Sequence, residues 1–144
     1  MKAITQHRYG GPELLSVSEV DRPRCGPEDV LIRVWAAGLS PGDRAMVTGI
    51  PYVNRLAASG VMRPKQAIPG FDVAGVVEAV GRSVTRFEVG DEVFGNGPGS
   101  FAEYAVAAED QLAHKPASWS FAEAAAVPES GAVALQAVRD RARV

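Results

Sequence analysis

PGFDVAGVVEAVGRSVTRFEVGDEVFG, residues 69–95, is the stretch from which the fold is read. A Pro-Gly turn opens it, and an apolar, β-branched run follows through Val73, Val76, Val77 and Val80 until Gly81 interrupts. A second apolar piece passes through Val84, Phe87 and Val89, and Gly90-Asp91 turns the chain into Val93-Phe94. Short β-rich runs punctuated by glycine suit a small antiparallel sheet that closes on itself. Valines at the adjacent positions 76 and 77 place apolar groups on both faces, so both faces should be covered. The expectation is a mainly β domain with short helices, built as a β-barrel.

Composition narrows the class. The chain has 144 residues, enough for one domain with a real core. Fifteen Lys and Arg against seventeen Asp and Glu leave a net charge of −2, with no basic run of the kind that binds nucleic acid. Cys25 is the single cysteine, which excludes an internal disulfide and a cysteine-pair zinc site. No apolar run approaches the ~18 residues of a membrane span, and the N-terminus lacks a signal-peptide apolar region. A cytoplasmic, metal-free domain is the expectation.

Along the chain, strands are expected at residues 2–7, 14–20, 29–37, 100–107 and 111–116. In 29–37 (DVLIRVWAA), Val30, Ile32, Val34 and Ala36 share one face and Leu31, Arg33 and Trp35 the other. Ser40-Pro41 reads as N-cap and first helical residue of a helix ending at Thr48 and closed by Gly49. A second short helix is expected near residues 53–58. Ser120 and Glu123 form a capping box for an alanine-rich helix that stops at Pro128, and another helix follows over 129–141.

The motif Pro69-Gly70-x-Asp72-x-Ala74-Gly75-x-Val77, then Val80-Gly81, then Phe87-x-x-Gly90-Asp91-x-Val93-x-Gly95, resembles the N-terminal half of medium-chain dehydrogenase/reductases. The resemblance is to the zinc-independent, quinone-oxidoreductase-like branch. It spans residues 1–144 and implies a GroES-like, partly open β-barrel. It also implies a Rossmann domain binding NADPH or NADH, for which a strand followed by G-x-G-x-x-G would be the sign. That pattern is absent, and Gly95-x-Gly97-x-Gly99 reads as a turn between strands. Zinc-dependent relatives carry Cys in the loop matching residues 38–43 and Gly-His-Glu where this chain has Gly70-Phe71-Asp72. Here the loop holds Leu39 and Ser40, and the stretch matching their four-cysteine lobe, near 96–99, is short and cysteine-free. No zinc is expected.

Without a Lewis acid, reduction of a carbonyl or enone rests on a positioned hydride and on donors at the developing oxyanion. The resemblance implies three catalytic candidates. Ser40 stands where zinc-independent relatives often carry Asn beside nicotinamide and substrate, and also reads as a helix cap. Asp43 matches an acidic residue common in that loop, and also suits a helix first turn. Tyr52 falls where relatives often place a substrate-facing aromatic, or is a half-buried surface tyrosine. Gly131 and Val133 are the cofactor-side candidates, in a segment where relatives read Gly-x-Thr-Ala. Val133 removes that threonine hydroxyl, and Glu129 adds a charge where relatives prefer an apolar residue.

His7 and His114 read as surface or turn histidines, and Cys25 has no activating neighbour beyond Arg24. Asp72 and Glu78 share a strand face, but six residues place them roughly 20 Å apart, too far for paired-carboxylate chemistry. Two functions stand. One is the substrate-side domain of an NAD(P)H-dependent oxidoreductase acting on a quinone, enone or small carbonyl compound, inactive alone. The other is a non-catalytic GroES-like module that binds or self-associates. Expected partners are a small-molecule substrate and a second copy as homodimer; nucleic acid and membrane are not expected.

Overall fold

The computed structural model describes residues 1–52 and 61–142. The chain begins with an antiparallel pair, β1 (Lys2–Thr5) and β2 (Ser16–Glu19). The main sheet has five strands: β3 (Asp29–Ala37), β4 (Asp72–Val80), β5 (Glu92–Asn96), β6 (Tyr104–Ala108) and β7 (Leu112–His114). Their spatial order is β6-β3-β4-β5-β7, with every pair antiparallel. Main-chain bonds from Ile4 N–H to Phe101 O (2.8 Å) and from Glu103 N–H to Lys2 O (3.0 Å) tie β1 to the approach of β6. The sheet curls into the expected partly open barrel.

Both faces of the sheet are covered, as the adjacent valines require. Val30, Ile32, Val73, Val77, Val93, Ala105, Ala107 and Leu112 fill the concave side. Phe87 joins them from the turns between β4 and β5, where no strand forms despite the apolar run 84–89. On the opposite side Ala74 packs against Ala124 and Ala125 of α2 (Phe121–Ala125). Small side chains at all three positions let helix and sheet approach closely.

β3 departs from its expected alternation at one end. Val30, Ile32 and Val34 face the barrel interior, but Ala36 packs with the α2 cluster. A register shift between Val34 and Ala36 explains this, because an extra residue in a strand flips the faces beyond it. Trp35 then stacks on Phe121, with ring centroids 5.4 Å apart. The strand expected over 14–20 is shorter: residues 12–14 form a 3-10 turn, and Val17 lies exposed on β2. Helix α1 (Pro41–Thr48) has its expected bounds, with Gly49 in the left-handed conformation (φ 66°) at its end. The helix expected near 53–58 lies outside the described residues. Helix α3 (Pro128–Gln136) starts at Pro128 and continues in wider π-type turns over Ala137–Ala142.

Candidate functional site

Ser40 ends the loop that follows β3, and Pro41 fixes the backbone for the first turn of α1. Ser40 Oγ accepts the Asp43 N–H (3.3 Å), and Asp43 Oδ2 accepts the Ser40 N–H (2.8 Å). Two orphan N–H groups at the helix start are thus satisfied reciprocally, in a capping box with aspartate in the third position. The Ser40 hydroxyl accepts in this arrangement and keeps its own proton for another acceptor. Both residues are buried, Ser40 at 7% exposure and Asp43 at 1%.

Two further carboxylates gather here that spacing along the sequence does not join to the site. Asp72, at the start of β4 and 3% exposed, accepts the Glu129 N–H at 3.2 Å through Oδ1 and 3.4 Å through Oδ2. The Glu129 side chain reaches the first turn of α1: a methyl group placed on Gly42 would stand 2.9 Å from Glu129 Oε1 and 3.2 Å from Ser40 Oγ. Asp43 Oδ1 and Glu129 Oε2 are buried with no hydrogen-bond partner among the described residues. Burial lifts the Asp72 carboxyl from the usual 3.8 to about 6; the Glu129 N–H opposes that rise, while the Glu129 and Asp43 carboxylates add to it. A signal for this junction was present in the sequence. Val127, ahead of Pro128, has no acceptor with which to cap α3, so the helix must find one elsewhere.

The other sequence candidates lie apart from this buried junction. Tyr52 is 68% exposed and Val133 61% exposed. Gly131, two residues after Glu129, donates its N–H to Val127 O (2.6 Å) inside α3. Glu78 pairs with Arg22 (3.0 Å), whose guanidinium also covers the Tyr104 ring, so Asp72 and Glu78 serve separate places. His114 sits against the Phe87 ring (4.8 Å) with Asp91 3.9 Å away. Cys25 donates its S–H to Asp29 O (3.0 Å), and burial pushes the thiol up, away from thiolate chemistry.

Among the described residues no group of three His, Cys, Asp or Glu side chains is arranged to hold a metal ion. No helix among them is long and apolar enough to cross a membrane. Of the three glycines expected in a turn, Gly95 instead lies within β5, paired with Val73 and Leu112, whereas Gly97 and Gly99 follow the strand and lead toward β6 without opening a helix. The described residues therefore offer no glycine-rich cradle for the pyrophosphate of a dinucleotide.

An antiparallel half-barrel with short helices docked at the start of its central strand, and a capped serine loop beside them, defines a class of domain. The model for the alcohol dehydrogenase GroES-like domain matches residues 26–117. The chain belongs to that family, in the quinone-oxidoreductase-like branch of the medium-chain dehydrogenase/reductases. It is 38% identical over 130 residues to quinone oxidoreductase of Sus scrofa, covering 88% of this chain and 37% of that protein. It is 39% identical over 140 residues to 2-methylene-furan-3-one reductase of Solanum lycopersicum, covering 89% of this chain and 34% of that one. Among solved structures, quinone oxidoreductase from Coxiella burnetii matches with a TM-score of 0.86 at 32% identity, over 97% of this chain and 44% of that one. Escherichia coli quinone oxidoreductase, solved with NADPH, matches with a TM-score of 0.81 at 25% identity, over 96% and 40%. The chain thus spans little more than a third of the length of these curated relatives.

Proposed function

We propose that this chain is the substrate-side domain of a zinc-independent NAD(P)H oxidoreductase that reduces a quinone, enone or small carbonyl compound. The observation that carries the reading is Ser40: a hydroxyl held by the first turn of α1, with its own proton uncommitted, beside the start of α3. The names of the relatives support the reaction class, and a relative solved with NADPH supports the cofactor. Reduced nicotinamide, when bound, supplies the hydride. The residues of this chain have other tasks. Ser40 donates to the oxygen on which charge develops, and N–H groups at the start of α1 favour that charge. Asp43 holds Ser40 in place, and Tyr52, exposed after α1, meets the substrate. Gly131 and Val133 line the cofactor side.

Absence of a phosphate cradle among the described residues supports placing most of the cofactor site in a further domain. This domain alone is then inactive. A cytoplasmic setting, no zinc and a homodimer belong to the same reading.

The test is to read the coding message beyond residue 144 and assay the encoded protein with NADPH and NADH against a panel of quinones and enones. Reduction is expected, with kcat in S40A reduced by about tenfold or more. Turnover undiminished in S40A would remove Ser40 from the chemistry. A protein that ends at Val144, ignores both cofactors and forms a stable, monodisperse oligomer would replace the reading with that of a binding module.

A further inference from the structure

Helix α3 starts without a cap of its own. Val127 precedes it with no side-chain acceptor, and Pro128 takes the first helical position. The next N–H, from Glu129, is one of the groups a helix cannot satisfy internally. Its acceptor comes from 57 residues away, in the carboxylate of Asp72 at 3.2 and 3.4 Å. Asp72 opens β4, whose register with β3 and β5 fixes it firmly in the barrel. The same first turn of α3 sends the Glu129 carboxylate to Gly42, in the first turn of α1.

We propose that Asp72 is a positioning residue: it caps α3 from the barrel and thereby sets Gly131 and Val133 relative to the Ser40 loop. The consequence for a nicotinamide site rests on the function proposed above, whereas the capping itself does not.

The groups packed around Asp72 give this hold a pH dependence. Asp43 faces it from α1 and Glu129 from α3, both as carboxylates. Its register partner on β5 is the uncharged Asn96, the residue after β3 is Gly38, and α2 brings Ala124 and Ala125 to this side of the sheet. Burial lifts the Asp72 carboxyl to about 6 while α3 is docked. With α3 lifted away the group meets water and falls back toward its ordinary 3.8. Docking therefore binds the proton more tightly, is strongest in acid, and weakens as pH rises through about 6. Asn at this position keeps an acceptor oxygen for the Glu129 N–H without the charge.

Amide hydrogen exchange on the 144-residue chain tests this, expressed as protection relative to intrinsic rates. In D72A, protection of the Glu129 and Gly131 amides is expected to fall about fivefold to tenfold, with Val77 and Val93 in the sheet unchanged. In D72N that protection is retained and loses its pH dependence between about pH 5 and about pH 8. Wild-type protection at Glu129 and Gly131 in D72A would overturn the proposal. If D72A loosens the whole barrel, D72N decides: a pH profile that follows the wild type overturns the cap, and a flat one supports it. An encoded protein that shows this exchange pattern but reduces nothing would defeat the proposed function and leave the cap in place.

Discussion

Lys115 Nζ lies 2.9 Å from Glu92 Oε2 and also donates to the main-chain oxygens of Trp119 (2.6 Å) and Pro116 (3.2 Å). Its side chain is 5% exposed, so one lysine joins β5 to the loop that carries the chain into α2. Glu92 is half exposed and can return to water if the lysine is lost, but the two carbonyls lose a donor. K115M is therefore expected to cost about 2 kcal/mol, and E92Q less than about 1 kcal/mol. Urea unfolding midpoints at constant slope measure both. Equal costs would mean that the ion pair, and not the loop carbonyls, dominates.

Gly81 ends β4 where two chain segments nearly touch. A methyl group there would overlap the carbonyl oxygens of Gly26 and Pro27, which are main-chain atoms and have little room to move. G81A is expected to destabilise the fold by more than about 2 kcal/mol. Gly90 serves as control: its φ is 100°, but nothing lies within 4 Å of the added methyl. G90A bears only backbone strain, about 1 kcal/mol. Thermal midpoints of the two variants should differ in that order.

Asp72 ties stability to pH. Its carboxyl stands at about 6 in the folded protein and near 3.8 when unfolded, so folding raises its proton affinity. The contribution favours the fold below about pH 4 and is lost as pH rises through about 6. D72N, uncharged throughout, should be more stable than the wild type at about pH 8, with the difference vanishing in acid. Urea titrations across that range read it directly. A D72N advantage that grows in acid would have the wrong sign.

Ser40 has a structural role separable from chemistry. Removing the cap in S40A is expected to cost about 1 kcal/mol, and S40T, which keeps the hydroxyl, only a few tenths. V133T should be neutral within about 0.5 kcal/mol, because Val133 is exposed. Differential scanning calorimetry gives all three. A neutral S40A would mean that another group caps α1.

The sequence by itself determined the elements whose causes are local. Ser40-Pro41 and Gly49 mark the two ends of α1, and the Ser120/Glu123 box marks the start of α2, since caps are satisfied within a few residues. The span of β3 and the double-faced burial of β4 followed from apolar periodicity, and the motif at 69–95 carried the family. Tertiary structure decided what depends on distant partners. Ala36 changed faces because β3 slips its register against β4, and Phe87 reached the core from a turn, where its side chain fills space without a ladder. The carboxylate junction could not be read from spacing. Asp43, Asp72 and Glu129 come from three separate elements, and only folding buries them together and lifts Asp72 to about 6. Local hydrogen bonds are written in neighbouring residues, whereas burial and electrostatic coupling arise when the chain returns upon itself.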